Sequence, residues 1–354
     1  MSEIKLEKFD SWLTDDAPAA LVLKEHLMPV EGIDGVLFPA TFAASEDGAF
    51  KGGYNIDHYP DGSSVCLVDS VGSQANRIEP LFMKGEYAKL LPQIVVKAGS
   101  KEINLLEAGH RAGDAIVRCS VLQGELQSAF KSVLNGIAEP LARIAPTSLV
   151  FGVWDSRDTQ AKLPRLVDSK IRAYNVRKLT RSAQYVPAAD YVKDGLLDEP
   201  VDKKEKDAYA VKGFVHVPAT ATHGGIIADS GVRRDATLHL AALRLLNSEN
   251  PEKTRDLQRY ILGLSLVAFT AKPSSYLRAG CNLVTNPNKT IELKIVHYDG
   301  RREDLVLSHQ DALAYARTVA AKFGIAENRT VEFDKQLAEK DLKEAGEKKK
   351  NKAK

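Results

Sequence analysis

Residues 63–82, SSVCLVDSVGSQANRIEPLF, constrain the fold more than any other stretch. Val65, Leu67 and Val68 form an apolar run behind two serines, the pattern of a strand. Val71, Ala75 and Ile78 then recur at i, i+4 and i+7, the pattern of a helix. The other side of that helix carries Ser70, Ser73, Gln74 and Arg77. A solvated face would usually carry Lys and Glu. The first amides of a helix have no intrahelical acceptor, and its dipole favours anions. Two readings follow. Gly72 permits close approach of another backbone and Arg77 could clamp a phosphate. Alternatively Asp69 acts as a plain N-cap, whose charge would repel one.

Elsewhere strands and helices are mixed. Residues 18–29 read as a short helix, and 35–43 as a strand broken by Pro39. Residues 47–63 are loop or hairpin, and 103–118 are ambiguous. GELQSAFKSVLNGIA places Leu126, Phe130, Val133, Leu134 and Ile137 on one helix face. Residues 147–156 read as a buried strand containing Trp154. RRDATLHLAALRLLNSE reads as the clearest helix, through Leu238, Ala241, Ala242, Leu245 and Leu246. TRDLQRYILGLSLVAFT is a second helix, SYLRAGCNLV and TIELKIVHYDG are strands, and a last helix starts at Ser308 as N-cap. Residues 190–213 are charged and without period, the mark of a mobile insertion. From Asp334 the chain is a charged tail expected to be disordered. The expected class is α+β. No glycine-rich nucleotide loop is present.

Composition excludes little: of 354 residues, 44% are hydrophobic and 27% charged, and the net charge is only +2. The three cysteines, Cys66, Cys119 and Cys281, are scattered, which argues against a disulfide framework or a zinc site and for buried thiols. A charged start and no long apolar run suggest a cytoplasmic protein without a membrane segment. The placement of charge is more informative. Residues 165–181 hold six basic residues and one acid, a net of +5, and residues 340–354 hold seven lysines and three acids, a net of +4. The rest of the chain is therefore −7. Clusters of this kind bind phosphodiester backbones by counterion release, and Tyr174 and Asn175 inside the first could contact bases or sugars. A solvated loop pairing with acids elsewhere is the other reading.

Five blocks in this order, DSVGSQANRIE, GHRAGDAIVR, VFGVWDSR, SKIRAYNVRKLTRSAQYVP and RRDATLHLAALRLL, resemble the RAMP-superfamily backbone subunit of the type I-U (I-G) CRISPR Cascade complex. The resemblance covers roughly residues 20 to 325. It implies one domain over 1–333 with a modified RRM-like (ferredoxin-like) core, long insertions and a β-hairpin thumb within about 156–215, followed by the tail 334–354. It also implies a non-catalytic subunit that oligomerises along one CRISPR RNA, beside other Cascade subunits, and leaves bases free to pair with target DNA. The implied RNA contacts are Ser70, Ser73, Gln74, Asn76 and Arg77 on the first helix; Lys170, Arg172, Tyr174, Asn175, Arg177 and Arg181 as a second strip; and Arg233 and Arg234 at the opening of the second helix. Lys51 and Gly224–Gly225 sit in glycine-rich stretches that could let RNA approach, or could be ordinary turns.

Chemistry finds less support. His110 and Asp114, four residues apart, would share a helix face, where an ion pair with Arg111 is the simpler reading than acid–base catalysis. His223 beside two glycines suits a turn. Related RAMP proteins include ribonucleases, so an endoribonuclease is the alternative function. No catalytic residue, metal or cofactor is expected.

Overall fold

The computed structural model describes residues 7–272 and 274–352. The charged start at residues 1–6 and the last two residues of the tail lie outside them. The chain contributes, in order, β1 (Ala20–Pro29), β2 (Ile56–His58), β3 (Ser64–Asp69), α1 (Val71–Ile78), α2 (Gln123–Leu134), β4 (Val153–Trp154), β5 (Lys162–Leu163), β6 (Val167–Tyr174) and β7 (Val176–Tyr185). There follow α3 (Lys203–Lys212), β8 (Val217–Ala228), β9 (Val232–His239), α4 (Pro251–Thr270), β10 (Tyr276–Arg278), β11 (Cys281–Thr285), β12 (Glu292–Val296), β13 (Arg302–Asp304), α5 (His309–Phe323) and α6 (Lys335–Lys352).

The organising element is a nine-stranded sheet in the order β10-β11-β1-β9-β6-β3-β2, with β12 also on β1 and β13 on β12. Its pairs are antiparallel and it curls into a half-barrel, in a mixed α+β architecture. β1 has a strict alternation: Leu21, Leu23, Glu25 and Leu27 turn inward while Val22, Lys24, His26 and Met28 turn out. This period of two corrects the expected helix over 18–29. The same correction applies to RRDATLHL, a strand with Val232, Arg234, Ala236 and Leu238 inward; only Leu240–Leu243 is helical. Its apolar residues satisfy both periods, and hydrogen bonding to β1 on one side and β6 on the other decides for the strand.

Helices cover the inner face. Leu257, Ile261 and Leu264 of α4 share the main core with Leu21, Leu23, Val167, Ala236 and Leu238 of the sheet. α4 and α5 pack along each other, and at Gly263 a Cβ would lie 2.9 Å from the Ala316 Cα, so the glycine permits the approach. Asn250 caps α4 and Ser308 caps α5, the latter in a reciprocal capping box with Asp311. A second core at one end of the sheet joins Leu27, Cys66, Val68, Ile171, Val232, Cys281 and Leu283. The three cysteines are buried free thiols.

Other expectations shift. The buried strand over 147–156 is a short helix, Thr147–Phe151, followed by β4. Residues 203–212 within the charged insertion form α3, capped by Asp202 and closed by Gly213 in the left-handed region at φ 78°. The tail expected as disordered contains α6, and Asp341 of α6 reaches Arg118 at 2.6 Å.

Candidate nucleic-acid interface

The outward residues of the sheet make one surface. Partners in an antiparallel register point to the same side, so Glu292, Lys24, Asp235 and Lys170 form one row across β12, β1, β9 and β6. His26, Arg233, Arg172 and Leu67 form the next across β1, β9, β6 and β3. Helices bury the opposite face of the sheet; Glu292 is exposed and the other side chains of the two rows are half-buried rather than core. Lys24 lies 3.7 Å from Glu292, Lys170 3.2 Å from Asp168, and Arg233 2.8 Å from Asp235. Neither Arg172 nor His26 forms an ion pair with a described residue.

Tyr174 closes this face at the end of β6. Arg233 Nη2 donates to the Tyr174 hydroxyl at 2.9 Å, and that hydroxyl donates to Asp235 at 3.3 Å. The Arg233 guanidinium also sits 4.8 Å from the ring centroid. Burial, and then the Asp235 charge, push the Tyr174 hydroxyl above its ordinary value, so it stays a donor at neutral pH. A cavity of about 380 Å³ opens beside it between His26, Ser63, Asn175, Ser230 and Arg233.

At Asn175 the chain turns out of the sheet, with φ 50°, a conformation Asn tolerates better than most residues. Beyond it β7 and β8 form a two-stranded ribbon of their own, bridged at its base by Ile226 to Leu37, and their register shifts twice. Arg177 forks onto Asp229 at 2.7 and 2.8 Å. Lys178 and Arg181 are exposed, the latter 5.9 Å from the Phe38 ring.

The helix singled out first behaves differently. Ser70, not Asp69, caps α1, its hydroxyl accepting from the Ser73 amide at 3.2 Å. Asp69 is 2% exposed and holds the polar face inward. The Gln74 Nε2 donates to it at 2.6 Å and Arg77 at 3.1 Å, while the Ser169 hydroxyl donates to Gln74 Oε1 at 3.0 Å. Arg77 also reaches the Leu277 carbonyl at 2.9 Å. The short polar groups therefore tie α1 to β3, β6 and the segment before β11. Gln74 is fully buried, and only Asn76 on this helix is well exposed.

Arg233 and Arg234 open no helix; they are neighbours on β9, and Arg234 points inward, 3% exposed, to Glu25 at 2.8 Å. A Cβ on Gly224 would lie 2.6 Å from the Thr180 carbonyl carbon, and one on Gly225 would strike Val36 and the Leu37 carbonyl. The pair thus serves the protein's own packing. Lys51 is an exposed loop residue.

His110 and Asp114 share no helix face. Asp114 caps the turn Ala115–Arg118 through the Ile116 amide at 3.1 Å, and Arg111 turns away to Glu79 at 2.7 Å. His223 packs edge-on against Tyr54. Among the described residues no group of three His, Cys, Asp or Glu side chains could hold a metal ion, and no helix is long and apolar enough to cross a membrane.

Lys24 and His26 were missed from the sequence. Their signal was the alternation in ALVLKEHLMP, which puts both on the side opposite Leu21, Leu23 and Leu27.

Residues 21–178, from β1 into the start of β7, match the family described as CRISPR-associated protein GSU0053. The matched stretch is less than half of the chain, and what it shows is a similarity to a CRISPR-associated family. No curated protein matches the chain.

Proposed function

From that similarity and the geometry of the sheet face, we propose that the protein is a non-catalytic, RNA-binding backbone subunit of a type I-U (I-G) Cascade complex. Several copies line up along one CRISPR RNA beside the other subunits. The observation that carries this reading is the open sheet face of Lys24, His26, Lys170, Arg172, Tyr174 and Arg233, continuous with a basic hairpin. Cations there meet phosphates with release of counterions, and an aromatic ring at the edge of the face can stack an unpaired base.

In this reading β1, β6, β9 and β12 are a modified RRM-like core. The order β12–β1–β9–β6, with helices between β1 and β6 and between β9 and β12, is that of a split βαβ unit. β7 and β8 form the thumb, with the connection that contains α3 at its tip. The protein grips backbone and shape, and pairing of the free bases with target DNA reads sequence.

The test is expression with a CRISPR array. The purified protein is expected to carry RNA of defined length in elongated assemblies, with log affinity falling linearly in log salt. Protein free of RNA, or protein that turns over a labelled RNA, overturns the reading.

A further inference from the structure

A cavity of about 470 Å³ beside the β4–β5 hairpin has no part in the interface above. His110, Arg111, Arg157, Lys162 and Arg165 line it, and no Asp or Glu does. Trp154, expected in the core, stands at its wall with 57% of its surface exposed, in register with Lys162. The Lys162 ammonium lies 5.7 Å from the indole centroid. Arg157 and Arg165 are exposed and form no ion pair with a described residue.

Arg111 differs from these three cations. It is 3% exposed and has a φ of 52°, unusual for a residue with a long side chain. Its Nε faces Glu79 at 2.7 Å and its Nη1 donates to the Gly152 carbonyl at 3.2 Å. Its Nη2 is buried and has no hydrogen-bond partner. Strained backbone and an unused buried donor persist where the surroundings enforce them, and they gather at binding sites. The cavity also adjoins the start of α1: a Cβ on Gly72 would lie 3.9 Å from Arg165 Nη2.

We propose that this cavity binds one nucleotide of a single strand. The base stacks on Trp154, the phosphate lies among Arg157, Lys162 and Arg165, and Arg111 Nη2 donates to a ligand oxygen from within. Charged side chains in the lining that are all cationic select an anion, and an exposed indole selects a flat ring. The inference rests on the RNA-binding reading and adds a contact away from the sheet face.

Trp12 and Trp154 are the two tryptophans, so Trp12→Phe leaves Trp154 as sole reporter. Titration with a single-stranded oligoribonucleotide is expected to quench its emission, and with the same sequence as a duplex to leave it unchanged. Trp154→Ala and Arg165→Ala are each expected to weaken single-strand binding roughly tenfold. Salt-sensitive RNA binding with a silent Trp154 and neutral substitutions would sink this site and leave the proposed function standing. Quenching by a nucleoside monophosphate without any binding of longer RNA would keep the site and remove that function.

Discussion

Arg233 and Arg234 are adjacent on one strand and have opposite fates. Arg234 enters the covered side of the sheet, where Glu25 and the Ala271 carbonyl hold its guanidinium. Arg233 stays on the open side with Tyr174 and Asp235. A charge on the first side is an element of folding and must be matched; a charge on the second remains available to a ligand. Sequence shows two arginines, and only the alternation of the strand separates their roles.

The largest effect expected from breaking this contrast is on the covered side. Glu25→Ala leaves the Arg234 charge buried and unpaired and removes the acceptor of the Thr285 hydroxyl, which donates to Glu25 at 3.0 Å. A loss of about 3–5 kcal/mol is expected in urea unfolding; a loss under 1 kcal/mol would show that the pair is not structural. Next comes the network under α1. Gln74→Ala removes a fully buried amide from Asp69 and Ser169 and should cost about 1–3 kcal/mol, with the salt slope of RNA binding unchanged. A shallower slope would put Gln74 at the RNA.

On the open side the order reverses. Arg172→Ala should leave stability within about 0.5 kcal/mol and lower the salt slope by about one unit. Arg177→Ala, whose cation already forks onto Asp229, should move the slope less. Equal effects from the two would mean that Asp229 releases Arg177 on binding. The smallest effect is chemical. Burial, with smaller contributions from neighbouring charges, pushes the Cys66 thiol up to about 12 and Cys281 up to about 11. Neither should react with a thiol reagent at pH 8 until the protein unfolds. Both values lie above the unfolded thiol's, so the stability they add is complete below about pH 9 and lost as pH rises through 11 to 12.

Much of the helical layer was legible. TRDLQRYILGLSLVAFT and Ser308 with the helix after it carry a period and caps that no neighbour overrides. The sheet was less so. ALVLKEHLMP and RRDATLHL contain apolar residues at spacings that suit either a helix or a strand, and long-range pairing decides. The polar face of α1 was seen and given to RNA, but its partner Asp69 sits one residue before the cap and turns it inward. Trp154 was assigned to the core because TSLVFGVWDS reads as a buried strand; Val150, Phe151 and Val153 are indeed buried, but the two-residue strand β4 turns Trp154 out. The basic run at 165–181 was read as one strip. It divides at Asn175 between the sheet face and the hairpin.

The two register shifts between β7 and β8 have a consequence for behaviour in solution. A flat, exposed ribbon would offer its free edges to any other extended chain and seed aggregates. Bulges coil the ribbon, and lysine and arginine along it repel a like-charged copy, so the projection resists pairing edge to edge with another chain.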